Sequence, residues 1–311
     1  MDPAPFFTAS RLLIVAGKGG VGKTTVSATL ALAAARSGLS SLIIEVEGKS
    51  GLSSMFGVPA FSYDEVELTE GVRARTLTPD EALVEYLEDS DMGRISKRLM
   101  TSGALDMVST AIPGIRDILV LGKIKQMERA GLADLLILDA PAAGHAISFL
   151  QSASGLADAV PIGPINNQAK DVLALLGDPA RCQVVLVTLP EETPVNELVE
   201  TAYQLEDRVG ISLGPVVVNG VYPALPGLEA DPVAAAEAAG ASLREGEADS
   251  LTAAATFRRE RMELQADQIG RLAEALPLPQ LSLPYLFDAE LGPEQLDQLA
   301  SSILAGIGDL P

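Results

Sequence analysis

The chain carries one cysteine, Cys182, one histidine, His145, and no tryptophan. A single thiol cannot close an internal disulfide, a C-x-x-C zinc clasp or a metal site built from three thiolates. Cys182 opens the apolar run 183–188 and is expected to act as a small buried hydrophobe. Positive charge is scarce as well: 22 Lys and Arg stand against 42 Asp and Glu, for a net charge of −20. Non-specific nucleic-acid binding depends on neutralising phosphates, so this balance argues against a nucleic-acid partner. No uninterrupted apolar run reaches the roughly 18 residues a membrane span needs. The N-terminus lacks a basic stretch followed by an apolar one, so no secretory signal is read and a cytoplasmic location is expected. The amphipathic stretch 294–307 has neither Lys nor Arg. Helices that lie on anionic lipid are basic, so no direct membrane anchor is expected.

The acidity is uneven. Residues 1–150 hold 14 basic and 18 acidic side chains, against 8 and 24 in the remainder. The nearly neutral half can accept a polyanion, and it contains Gly17-Lys18-Gly19-Gly20-Val21-Gly22-Lys23-Thr24-Thr25. The spacing from Gly17 to Thr24 is G-x-x-x-x-G-K-[ST], a Walker A loop. An apolar strand, 12–16, precedes it, and an alanine-rich helix, 24–36, follows and stops at Gly38. Backbone N–H groups must turn inward to cradle phosphate oxygens, which is why glycines recur here. The helix then offers its positive N-terminus to the same anion. Lys23 is expected to reach the β- and γ-phosphates of ATP, and the Thr24 hydroxyl to ligate Mg²⁺.

Lys18 is a second lysine where an ordinary phosphate loop has one. The form K-G-G-V-G-K-T resembles the deviant Walker A of the ATPases that include the Min-type and Par-type positioning proteins, nitrogenase iron protein and the arsenical pump ATPases. That resemblance implies dimerisation, with Lys18 touching phosphate bound by the opposite subunit. The physics is that of an arginine finger, a cation delivered in trans.

With 311 residues and one Walker loop, the chain is expected to be a single nucleotide-binding unit over 1–311. Strands are expected at 41–47, 72–77, 135–139, 183–188, 214–219 and 280–284, with helices between them, notably 194–208 and 250–276. The segment 79–131 is expected to form an inserted helical subdomain, broken at Pro113-Gly114 and holding Met92, Met100, Met107 and Met127. Methionines suit adaptable apolar surfaces as well as cores. Residues 223–248, rich in Ala, Gly, Pro and Glu, are expected to form a surface excursion. The alternation implies an α/β fold: a doubly wound, mostly parallel sheet of the P-loop NTPase kind, with nucleotide at the carboxyl ends of the strands.

Hydrolysis also needs carboxylates. Asp139 ends an apolar strand, as a Walker B aspartate does, and can hold Mg²⁺ through water. Glu45 and Glu47 alternate on the second strand, so both point to one side near the phosphate loop. Either can position the attacking water, and Glu47, which leads into the loop 48–53, is favoured.

The segment Asp139-Ala140-Pro141-Ala142-Ala143-Gly144-His145, continuing to Gln151, resembles the D-T-A-P-T-G-H-T-L-R-x-L signature of the arsenical pump ATPase (ArsA) family, which includes the targeting ATPase for tail-anchored membrane proteins. The family's first switch, D-P-A-H-x-L-S-x-x-F, aligns with Glu47 to Phe56, placing its water-activating aspartate on Glu47. Asn219 matches the family's adenine-reading asparagine, and Pro284-Tyr285-Leu286 its loop under the base. The second strand, the segment Pro113 to Leu119 and the segment Val187 to Val195 are most similar to ArsA-like ATPases of actinobacteria. The resemblance implies a homodimer, or a heterodimer with a second ArsA-like subunit, and a membrane-protein client or transporter. One cysteine falls short of the family's arsenite site. The alternatives are a regulatory subunit with little activity alone and a Par- or Min-type positioning ATPase. The lone His145 is better suited to signal relay or packing than to metal ligation.

Overall fold

The computed structural model describes residues 3–46, 51–61, 63–82, 85, 114–141, 143–160 and 162–310, with only the backbone described at 143–145 and 164–165. Four runs of Leu, Ile and Val, buried along their length, form the middle of one sheet: β1 (Leu12–Gly17), β2 (Ser41–Val46), β5 (Leu135–Asp139) and β6 (Cys182–Thr188). Near-continuous apolar composition is what a parallel strand covered on both faces requires. The outer strands are β3 (Val66–Thr69), β4 (Val72–Leu77), β7 (Val216–Val221) and β8 (Gln280–Pro284). The sheet order is β3-β4-β2-β5-β1-β6-β7-β8, and every pairing is parallel except β3 with β4. Strand order turns outward on either side of β1, where doubly wound sheets bind ligands.

The described helices are α1 (Ala4–Thr8), α2 (Lys23–Arg36), α3 (Leu52–Met55), α4 (Ile115–Ala130), α5 (Ala143–Ala159), α6 (Pro164–Leu176), α7 (Glu192–Gln204), α8 (Pro232–Ala238), α9 (Glu247–Ala275) and α10 (Pro293–Gly308). One face of the sheet packs against α2 and α10 through Val26, Leu30, Ala34, Leu296, Leu299 and Ile303. Alanine dominates α2, so the helix lies close to β1, β2 and β5. The other face packs against α4, α5, α6, α7 and the end of α9. Cys182 is fully buried there, and burial pushes its thiol well above the usual range.

The strand expected at 72–77 is β4, while its antiparallel neighbour β3 was not anticipated. The helix expected at 194–208 runs from Glu192 to Gln204 and closes in a π turn, Leu205–Val209. Of the expected insertion, residues 83–84 and 86–113 lie outside the described residues, and Met92, Met100 and Met107 with them. Its last part is α4, where Met127 is buried in the main core. Residues 223–248 are largely exposed and contain α8. The apolar face of the C-terminal α10 is buried on α2 and β8. Among the described residues, no helix is long and apolar enough to cross a membrane.

Candidate nucleotide site

The carboxyl ends of β1, β2, β5 and β7 converge on the loop between β1 and α2. A Cβ on Gly17 would collide with the carbonyl oxygen of Val187 on β6, so only glycine lets β1 turn there. Gly22 sits at φ +91°, in the left-handed region, and a Cβ on it would strike the side-chain amide of Asn219. These two glycines hold the loop against the sheet edge. Helix α2 then begins at Lys23 with no side-chain cap and no acidic residue in its first turn. An uncapped helix start leaves N–H groups for an outside acceptor, and the helix dipole makes that acceptor an anion.

Behind the loop lies a hydroxyl–carboxylate cluster. Thr24 Oγ1 donates to Asp139 Oδ2 at 2.6 Å, and Ser27 Oγ, one helical turn on, donates to Oδ1 at 3.3 Å. Asp139 is 8% exposed. Burial raises its carboxyl above the usual range, opposed by the Thr24 bond, the charge of Lys23 and the Ser27 bond. Lys23 Nζ donates to the Lys18 carbonyl oxygen at 3.1 Å, and burial lowers its ammonium against the pull of Asp139. Glu45 lies in register with Asp139 on the neighbouring strand and with Thr76 on the next. Burial, then the charge of Asp139, pushes its carboxyl up to about 7, with a long 3.4 Å bond from Thr76 acting the other way.

The other sequence candidates are distributed around this cluster. Asn219 Nδ2 donates to the Val21 carbonyl oxygen at 2.9 Å, tying β7 to the phosphate loop. Pro284 ends β8, and the Tyr285 N–H donates to Val221 at 2.8 Å, so both lie beside the end of β7. Lys18 points elsewhere: its Nζ meets Glu197 Oε1 on α7 at 2.6 Å. Glu47 lies outside the described residues, as does the side chain of His145, whose backbone belongs to α5.

Sequence reasoning missed several neighbours. Tyr222 and Phe287 pack ring to ring with each other and with the expected Tyr285 at 4.8–5.3 Å, and the Arg258 guanidinium lies over Tyr222 and Phe287. Gln265, buried on α9, clamps the end of β7 by donating to the Gly220 carbonyl and accepting from the Tyr222 N–H. Ser27 was findable, because it follows Thr24 by three on a helix. Glu197, Gln265 and Arg258 carry no local signal.

The anion-transporting ATPase family model matches residues 10–162. The ATPase BagA of Mycobacterium tuberculosis (strain H37Rv) is 32% identical, covering 94% of this chain and 92% of that one. The chain belongs to the ArsA family of ATPases. It is also similar to the arsenical pump-driving ATPase of Acidiphilium multivorum, 28% identical over 88% of this chain and 51% of that protein. The ATPase get3 of Schizosaccharomyces pombe is 29% identical over 54% of this chain and 53% of its own length. The match of the family model spans the phosphate loop, α2, Glu45, Thr76 and Asp139, which build the cluster above.

The oxygen donors beside the loop suit a hard cation such as Mg²⁺. They are the Thr24 hydroxyl and the carboxylates of Asp139 and Glu45, and Glu45 Oε1 has no hydrogen-bond partner among the described residues. Mg²⁺ keeps several waters of its shell, and these need acceptors.

Proposed function

We propose that the chain binds ATP with Mg²⁺ and hydrolyses it in the cytoplasm as a switch built from two protomers. The observation that carries this best is the 2.6 Å contact of Thr24 with Asp139 at the uncapped start of α2, beside the ammonium of Lys23. In this reading the N–H groups of residues 17–25 hold the phosphates. Lys23 neutralises their β- and γ-oxygens, Thr24 is the direct ligand for Mg²⁺, and Asp139 orients a water of its shell. Bound Mg²⁺ supplies charge neutralisation at the transferred phosphoryl group. Glu47 aligns the attacking water, and Lys18 serves the γ-phosphate of the neighbouring protomer. Asn219, Pro284 and Tyr285 hold the adenine.

The partner is a second copy or a second ArsA-like subunit, and the load is a membrane-protein client or a transporter. The segment 79–131 is the place for that load. A thiol-built arsenite site is not open to a chain with one cysteine. A second reading, a regulatory subunit whose partner supplies the turnover, is favoured by one contact: within its own protomer Lys18 is held by Glu197.

Steady-state hydrolysis by the wild type, Asp139→Asn and Glu47→Gln tests the main reading. Turnover in the wild type is expected to fall about 10²-fold or more in Asp139→Asn. Glu47→Gln is expected to retain bound ATP and to capture the load in a pull-down with ATP. Equal hydrolysis by all three would refute the assignment. Rates measured with and without a second ArsA-like subunit separate the two readings.

A further inference from the structure

Glu45 is 5% exposed at the carboxyl end of β2, and one of its two oxygens has no partner among the described residues. The other receives only the 3.4 Å bond from Thr76. Leaving a buried acceptor unsatisfied is costly, more so when it is charged, so such a group calls for a ligand or a reason. Its neighbours sharpen the case. The register Thr76–Glu45–Asp139 puts three oxygen-bearing side chains side by side on one face of the sheet. That face packs against α2, which supplies Thr24 and Ser27. Asp139 has both oxygens engaged, by Thr24 and Ser27, whereas Glu45 adds a second carboxylate with an oxygen to spare. Two adjacent carboxylates repel unless one takes up a proton or a cation lies between or beside them.

We propose that Glu45 is a positioning residue of the magnesium site, its unpaired oxygen accepting a hydrogen bond from a water bound to the ion. The proposal rests on the Mg·ATP reading above and gives Glu45 a task separate from that of Glu47. Outer-sphere acceptors of this kind commonly set metal affinity by about 10–100-fold. The carboxylate's charge, and not merely its shape, is what the ion's shell responds to.

Mn²⁺ is a suitable probe, because its free form gives an electron paramagnetic resonance signal that disappears on binding. Mn²⁺ is titrated into the full-length protein at saturating ADP, with ADP binding in EDTA measured alongside. Glu45→Gln, which keeps the shape and removes the charge, is expected to weaken Mn²⁺ binding about 10-fold. Glu45→Asp, which keeps the charge, is expected to lose less. Wild-type affinity in Glu45→Gln would overturn the proposal. Equal losses in the Gln and Asp variants would also overturn it, because they would mark Glu45 as packing only. Should Glu45→Gln fail to fold, Glu45→Ser takes its place: a loss of about 10-fold in Mn²⁺ affinity is expected, and wild-type affinity would overturn the proposal. If the wild type binds no ADP even in EDTA, the nucleotide assignment itself fails, an outcome distinct from a failure at Glu45.

Discussion

Lys18 and Glu197 face each other across 179 residues of sequence, their charged atoms 2.6 Å apart, with roughly 40% of each side chain open to solvent. The contact turns Lys18 away from the loop that bears it, whereas Lys23 stays against the loop, donating to the Lys18 carbonyl. The two lysines of one motif therefore do different things in a single protomer. An exposed ion pair of this kind contributes about 0–1 kcal/mol, so it can be exchanged at little cost for a stronger partner such as a phosphate.

Lys18→Ala is accordingly expected to fold and to bind ATP much as the wild type does, and to lose turnover by about 10³-fold, the scale of a cation supplied in trans. Hydrolysis per protomer is expected to rise with protein concentration in the wild type and to stay flat in the variant. Full activity in Lys18→Ala would remove the lysine from the mechanism. Glu197→Gln is expected to cost under about 0.5 kcal/mol of stability and to raise activity at low protein concentration by two- to threefold.

Gly22 offers a second test, because two separate obstacles meet there. Its φ of +91° costs a side-chain-bearing residue about 1–2 kcal/mol, and its Cβ position is taken by the Asn219 amide. Gly22→Ala is expected to lower the unfolding free energy by about 2 kcal/mol or more and to weaken ATP binding at least tenfold. Adding Asn219→Ala removes the collision and leaves the backbone strain. The double variant is thus expected to recover part of the lost stability but not wild-type affinity, and full recovery would show that φ at Gly22 is unimportant.

Cys182 makes a simpler case. Its thiol is wholly buried at the start of β6 and held neutral by desolvation. The thiolate is the reactive form, so the native protein is expected to resist alkylation at neutral pH. Labelling is expected to appear only with global unfolding in denaturant, and mass spectrometry of the native protein after iodoacetamide treatment checks this. Rapid native labelling would mean that β6 opens locally.

Local chemistry was the part of the molecule that the residues announced in order. The run 12–16, the glycines after it and the apolar strand ending in Asp139 each combine composition with a terminating signal, and all sit in the structure where those signals put them. Strand β3 was silent because V-E-L-T is an exposed edge with only Leu68 buried, defined by its pairing with β4 and not by its own pattern. Glu197, Arg258 and Gln265 were silent for a related reason. Each sits on a helix whose own periodicity explains it as surface or core, while its partner lies far along the chain. Glu45 was visible as a carboxylate at a strand end. Its lack of a partner is a property of packing, which only the assembled sheet reveals.

Glu45 also gives the protein a pH dependence whose sign can be worked out. Its carboxyl is raised from an ordinary 4.5 to about 7 by burial and by Asp139. Between those values the folded chain holds a proton that the unfolded chain has released. The unfolding free energy of the metal-free protein therefore falls as pH rises from about 4.5 to about 7, and stays low above that. At about 1.4 kcal/mol per pH unit the loss amounts to ~3–4 kcal/mol. Glu45→Gln cannot titrate and is spared it, so in EDTA it is expected to be more stable than the wild type by about 3 kcal/mol at pH 8, with most of the gap closing by pH 5. Urea unfolding at the two pH values measures this. A gap of the same size at both would mean that the folded protein carries Glu45 ionised, with its orphan oxygen answered by something other than a proton.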